Sequence, residues 1–502
     1  MKVLFVYPNR DCQIGFNYGL AFLSAVLKEA GHETRLLNLN EKLATLPTLE
    51  EIGRAVRDYA PDLVGMSVVT NQWRYALEVA QAVRKVTDAP LVCGGIHATM
   101  SAEEILEGTP FDYAVVGEGE GAILDLVRAI DRNADVSRIS NLACRIDGKV
   151  QVNAVRPLVN LSTLPRKDYG LFDFQRMIDA KDGWVGIMAG RGCPFRCTYC
   201  FNHAIVERYS RDTGLSPAAL HYVRWHPVEE VIEEILWLQK TYRRIRMIIF
   251  DDDLFTLDRE YLAEFTKQYR ARVRLPFVAN AHVKHFDRDI ARMFKDAGCA
   301  IVKFGVESGS DRIRRDIMHR RMSNGEIERA FEAAHEAGLH TSAFVMLGLP
   351  HEGREEIEET VRLLGRIGPG RFRWAIFFPF PGTRAFEIAR EGGFIDEAKL
   401  PTLSNFFEDS ALDFGPEHNL FIRKLRRALP WYVNAACDRE GADYYHKLVR
   451  LVERWDESAW ERLSPRMIEF DRNVSAHAER KGWRHYLVRF NDFMAVDSAW
   501  KE

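Results

Sequence analysis

Apolar residues in the first 150 positions fall into short blocks of two kinds. Lys2–Pro8 (KVLFVYP), Asp62–Val69 (DLVGMSVV) and Ala89–Gly95 (APLVCGG) are continuously apolar and bounded by Gly, Pro or Asp. Such runs predict strands buried on both faces, as in a parallel sheet. HETRLLNL (residues 32–39) is a further strand. Between them, Gly19–Gly31 and Tyr75–Val86 carry apolar residues at helical spacing, the first stopping at a glycine. FDYAVVGEGEGAILDLV (residues 111–127) adds a fifth strand, a glycine–glutamate turn and a helix. This alternation predicts a doubly wound, Rossmann-like sheet over residues 1–150, with ligands at the carboxyl ends of its strands.

The pattern lapses over residues 151–183, where RPLVNLSTLPRKDYGLFDF has no sustained period and two prolines, so a linker is expected. It resumes at WVGIMAG (Trp184–Gly190) and continues through MIIFDDDLF, PFVANAHV, CAIVKFGVES, TSAFVMLGLP and FRWAIFFPFPG. Helices are predicted at Pro227–Gln239, Asp289–Ala297, Ser323–Gly338 and Glu355–Ile367. Six strand–helix units over residues 184–395 predict a partial (β/α)6 relative of the TIM barrel, with sites at strand carboxyl ends. Residues 396–502 lose the strand signal and hold five of the ten tryptophans. A small helical C-terminal domain with an aromatic core is expected there, and the substrate is expected to contact it together with the barrel mouth.

Composition narrows the function classes. Of 502 residues, 47% are hydrophobic and 28% charged, which fits a folded protein. No apolar run approaches the roughly 18–20 residues of a membrane span. A net charge of −3 excludes a nucleic-acid binder built on a general basic surface. The opening MKVLFVYPNR lacks a signal-peptide pattern, and the eight cysteines are sparse outside one cluster. A reducing, cytoplasmic setting is therefore expected.

That cluster is GRGCPFRCTYCFNH (Gly190–His203), which sets Cys193, Cys197 and Cys200 in a C-x3-C-x2-C array just after a strand. Three thiolates on one loop can ligate three irons of a [4Fe–4S] cube and leave the fourth open to a chelating amine and carboxylate. The alternative is structural zinc, for which His203 is the nearest fourth ligand.

The array, with the aromatic Tyr199 inside it, is identical to the signature of radical S-adenosylmethionine (SAM) enzymes. GVESGSDRI (Gly305–Ile313) resembles the family's ribose-binding segment, which assigns Glu307 and Ser308 to SAM. FVMLGLP and FFPFPGT resemble its adenine-contacting segments and bring in Gly348 and Pro379. FDDDLF resembles the segment after the family's second barrel strand, which implies that Asp251 and Asp252 lie near the methionyl amine, and Asn280 sits at the next strand end. Arg320 and Arg321 follow Glu307 at the distance where the family uses a basic residue for the SAM carboxylate; the sequence does not say which serves. ANAHVK departs from the family, whose members commonly carry an arginine near His282.

Ahead of the barrel, SVVTNQW, GGIHATMSAEEIL and VVGEGEGAILDLV resemble the cobalamin-binding segments of B12-dependent, methyltransferase-type (class B) radical SAM enzymes. The resemblance implies cobalamin contacts from Ser67, Val69, Thr70, Asn71, Gln72, Trp73, Gly94, Gly95, Ile96, His97, Gly117, Glu118 and Gly119. Small-residue turns suit a flat macrocycle. No D-x-H-x-x-G motif occurs, so a cobalt without a histidine beneath it is implied, and His97 is expected to touch the corrin rather than ligate cobalt.

The resemblance implies an oxygen-sensitive methyltransferase. A reduced cluster cleaves SAM, a 5′-deoxyadenosyl radical takes hydrogen from an sp3 carbon, and methylcobalamin methylates the substrate radical. A small molecule, peptide or protein is the implied substrate, and a ferredoxin or flavodoxin the implied electron donor. The alternative is a B12-dependent cyclase or rearrangement enzyme. A methylthiotransferase would need a second cluster on Cys12, Cys93 and Cys144, whose spacing does not match; a cobalamin carrier would have no use for the cysteine array.

Overall fold

The computed structural model describes residues 1–402 and 409–500. They form two compact units, one of residues 1–194 and 200–253, the other of residues 195–199 and 254–502.

The first unit is built on a seven-stranded sheet. Its strands are β1 (Lys2–Pro8), β2 (Glu33–Leu39), β3 (Leu63–Ser67), β4 (Leu91–Gly94), β5 (Tyr113–Val115), β6 (Leu142–Ile146) and β7 (Lys149–Val152), in the order β2-β1-β3-β4-β5-β6-β7. The first five run parallel. The continuous apolar runs explain them, since Val3, Leu4, Phe5 and Val6 of β1 and Leu63 and Val64 of β3 are all buried. The order reverses direction at β1 and β3, and an open sheet of this kind binds ligands beside that switch point. Strands β6 and β7 are antiparallel and close through Asp147–Gly148, both at positive φ (49° and 76°). This Asp-Gly hairpin turn, which the strand reading passed over, has a standard two-residue signature.

Residues 151–183 hold more structure than a bare linker. Tyr169 stacks on Phe16 at 4.8 Å, and Phe174 opens a helix to Ala180. Lys167 is 2.7 Å from Glu234, with both side chains buried. The aromatic residues give this aperiodic stretch its own small core. The unit also contains the parallel pair β8 (Trp184–Ile187) and β11 (Met247–Phe250), and the two-residue ladder β9 (Gly190–Arg191) with β10 (Arg224–Trp225).

The second unit carries four parallel strands in chain order, β12 (Phe277–Ala281), β13 (Cys299–Glu307), β14 (His340–Leu347) and β15 (Arg371–Ile376). Helices Arg288–Ala297, Asn324–Glu336, Arg354–Ile367 and Arg384–Glu391 follow them in turn. With β8 and β11 these complete six strand–helix repeats along the chain. Beyond them lie helices Pro416–Ala436, Ala442–Glu453, Glu457–Leu463 and Met467–Lys481, whose buried Trp431 and Trp460 supply the expected aromatic core. The tail is not wholly helical. Strands β16 (Tyr486–Val488) and β17 (Met494–Asp497) pair with each other, and β17 runs antiparallel to β15. Each is too short to show a period of two, so pattern alone passes over them. No described helix is long and apolar enough to cross a membrane.

Candidate active site

In the second unit, four groups named from the sequence come together around the end of β13. Glu307 closes that strand with φ +66°, a left-handed conformation that residues with a Cβ rarely adopt. It is half-buried, and the Tyr199 side chain hydrogen-bonds to it. Burial raises the Glu307 carboxyl above its usual range, against the opposing pull of Arg320 and Tyr199. Arg320 donates from Nη2 to the Gly305 carbonyl (2.7 Å) and from Nη1 to Cys197 Sγ (3.7 Å). Its buried Nε has no hydrogen-bond partner among the described residues. A Cβ at position 305 would collide with the Glu307 carboxylate, so glycine there lets the acid and the arginine share this space. Arg321, by contrast, is exposed.

The remaining SAM candidates are distributed more widely. Ser308 is fully buried, and its hydroxyl donates to Glu352 Oε1 (3.5 Å). Glu352 also accepts the amides of Gly348 (2.7 Å) and Leu349 (3.1 Å), so it shapes the turn that carries Gly348. Pro379 is buried in the turn after β15, and Asn280 is half-buried on β12. In the first unit, Asp251 accepts the Tyr18 hydroxyl (2.7 Å). Asp252 is buried and accepts the amides of Ala189 (3.1 Å) and Gly190 (2.6 Å); burial pushes its carboxyl up to about 7. Asp252 thus braces the strand leading into the cysteine loop.

A cavity of about 560 Å³ lies within the first unit, at the carboxyl ends of its parallel strands. Ser67, Gly94, Gly95, Ile96, Gly117, Glu118 and Gly119 line it, as do Asp251 and Asp253 from the turn after β11. Val69, Thr70, Asn71, Gln72, Trp73 and His97 lie outside its wall. Thr70–Gln72 form one tight turn and Trp73 opens the helix Trp73–Arg84, while His97 lies in the helix Ile96–Leu106. Gln72 bonds back to Arg10 and Cys12, and Val69 is 40% exposed. His97 is buried against Trp73 at 4.5 Å, and burial lowers its imidazole to about 4.

Glu118 is committed to neighbours within the unit. It accepts Arg191 (3.0 Å), Arg224 (2.7 Å) and the Val159 amide (2.8 Å), while Arg191 also donates to Glu120 (2.6 Å). Burial works to raise the Glu118 carboxyl, but the two arginines outweigh it and hold it below its usual value. Gly117 (φ +77°) leaves room for the Tyr209 hydroxyl, where a Cβ would collide. Arg191, Tyr209 and Arg224 are wall residues that motif reading did not name. Only Arg191, two positions before Cys193, stood within a recognised segment.

Cys193 and Cys200 are half-buried and Cys197 is buried; none of the eight cysteines is in a disulfide. Among the described residues no three His, Cys, Asp or Glu side chains form a ready-made metal site. The donor chemistry nevertheless fits a three-thiolate cluster, with Arg320 already bonded to one of the sulfurs.

Comparison with known proteins decides the family. Residues 187–364 match the Radical SAM superfamily and residues 13–127 the B12 binding domain. An uncharacterized methyltransferase of Pyrococcus horikoshii is 30% identical over 402 residues, covering 78% of this chain and 83% of the relative. The chain belongs to the cobalamin-dependent radical SAM enzymes of methyltransferase type. Its cofactors are a [4Fe–4S] cluster, SAM and cobalamin. The anaerobic magnesium-protoporphyrin IX monomethyl ester cyclase of Rubrivivax gelatinosus is 26% identical, covering 85% of this chain and 77% of the cyclase. The fold resembles that of the radical SAM methyltransferase TsrM of Kitasatospora setae, solved with cobalamin and a [4Fe–4S] cluster (TM-score 0.63, 21% identity, 78% of this chain and 75% of that one).

Proposed function

We propose that this enzyme methylates an unactivated sp3 carbon of its substrate. When bound, the cluster and the corrinoid supply one-electron cleavage of SAM and a carrier for the methyl group. The chain's task is to hold and orient. Cys193, Cys197 and Cys200 would ligate the cluster, and because no closed metal site stands ready, the loop would draw its thiols together on loading. Arg320 would take the SAM carboxylate through its unpartnered Nε, and Glu307 would grip the ribose hydroxyls, steadied by Tyr199. Asp251 would face the methionyl amine, and Asn280, Ser308, Gly348 and Pro379 would frame the rest of SAM. The walls at Ser67, Gly94–Ile96 and Gly117–Gly119 would receive the corrinoid, and the Glu118–Arg191–Arg224 network would hold the Gly117–Gly119 wall in place.

The observation that carries this reading is Arg320, one guanidinium reaching the Cys197 sulfur and the carbonyl of Gly305, two residues before Glu307. The experiment is anaerobic incubation of the reconstituted enzyme with methyl-deuterated SAM and a host extract. Label should appear in a carbon-methylated product; 5′-deoxyadenosine without methylated product would favour the second reading. That reading, a cyclase or rearrangement enzyme, is supported by the similarity to the Rubrivivax gelatinosus cyclase. The substrate would be a small molecule, peptide or protein, and a ferredoxin or flavodoxin would supply electrons in a reducing cytoplasm, consistent with eight unbridged thiols.

A further inference from the structure

Arg314 is a fully buried arginine within the segment that joins Glu307 to Arg320. Burying a guanidinium costs several kcal/mol unless its donors are met. Here they are met by the same segment. Nη1 donates to the Ser308 carbonyl, Nε to the Met322 carbonyl (3.1 Å), and Nη2 to Asp311 and to Asn324 Oδ1 (2.8 Å). The Arg314 carbonyl in turn accepts the Arg320 amide (2.7 Å). Asn324 closes the ring by donating to the Gly309 carbonyl (3.1 Å). The backbone around Arg314 widens locally over Ile313–Ile317, with the Met318 amide reaching the Ile313 carbonyl (2.9 Å). Such widened turns are frequent at functional sites.

We infer that Arg314 is the positioning residue that holds Glu307 and Arg320 in register for SAM. One end of its fork fixes the residue next to Glu307, which sits in the disfavoured left-handed conformation. Its other contacts fix the stretch that delivers Arg320 to Cys197 Sγ. An apolar side chain would fill the same volume without the cost of burial, but it could not tie Ser308 to Met322. A lysine is a single point charge and cannot span the four acceptors of the planar fork. This inference rests on the SAM-binding reading of Glu307 and Arg320.

The test uses the full-length reconstituted enzyme with R314K and N324A. SAM is titrated against the EPR signal of the reduced cluster, and 5′-deoxyadenosine formation is followed over SAM concentration. R314K should weaken SAM binding and raise its KM tenfold or more, with iron content unchanged and kcat at saturating SAM within threefold of wild type. N324A, which removes one acceptor at a half-buried helix start, should move both quantities about threefold in the same direction. A lowered melting temperature with unchanged SAM affinity would mean a purely structural role and would overturn the inference. If R314K does not fold, N324A decides alone, and unchanged affinity in N324A overturns it. A wild-type enzyme that neither binds nor cleaves SAM defeats the underlying reading instead.

Discussion

Arg320 and Arg321 are adjacent in sequence and equally basic, yet one is bonded to Cys197 and Gly305 and the other faces solvent. Their consequences should differ accordingly. Losing a charged hydrogen bond to a carboxylate costs about 1.5–3 kcal/mol, roughly ten- to a hundredfold in affinity. R320M should therefore raise the KM for SAM by that factor, while R321M should leave it within twofold; steady-state assays of 5′-deoxyadenosine release separate the two. The sequence could name this pair and not choose between them, because nothing local marks which side chain turns inward. The cysteine array was legible because its chemistry depends on spacing along one loop. That the cavity wall takes in Ser67 and Gly94–Ile96 but not Asn71–Trp73 or His97 was not legible, because motif spacing does not report which residues of a turn line a cavity.

At the scale of elements, the parallel strands were legible because their apolar runs are buried on both faces. The β6–β7 hairpin and the β16–β17 pair were passed over because three- to five-residue strands with mixed patterns show no period. The connector illustrates a different gap. Its Lys167 and Tyr169 converge on Glu234, which is 67 and 65 residues distant in sequence. Both members of the ion pair are buried, so K167M leaves an unpaired charge and should destabilise the first unit by about 3–5 kcal/mol. K167M/E234L should recover most of that loss in chemical denaturation.

Glu352 offers a pH test of the turn after β14. Burial pushes its carboxyl up to about 8, against the opposing hydrogen bonds of the Leu349 and Gly348 amides and Ser308, and with Glu356 adding to the rise. The unfolded chain releases this proton near 4.5. Between those values the folded state holds a proton the unfolded state has lost, so this contribution to stability is full below about 4.5 and declines as pH rises through about 8. E352Q should flatten that part of the melting-temperature profile; an unchanged slope would show that Glu352 remains ionised throughout.

At the scale of the whole molecule, a B12-binding segment precedes a radical SAM segment in one chain. Metal content should reflect this, with about four irons and one cobalt per chain after anaerobic reconstitution. The most direct measurement is SAM cleavage by that material, set beside a C193A/C197A/C200A variant. The expected result is 5′-deoxyadenosine from the wild type under reducing conditions and none from the variant, while both retain the visible absorption of bound cobalamin. Equal cleavage by the two proteins, or no cleavage by a wild type carrying its full iron, contradicts a three-thiolate cluster at the centre of this enzyme's chemistry.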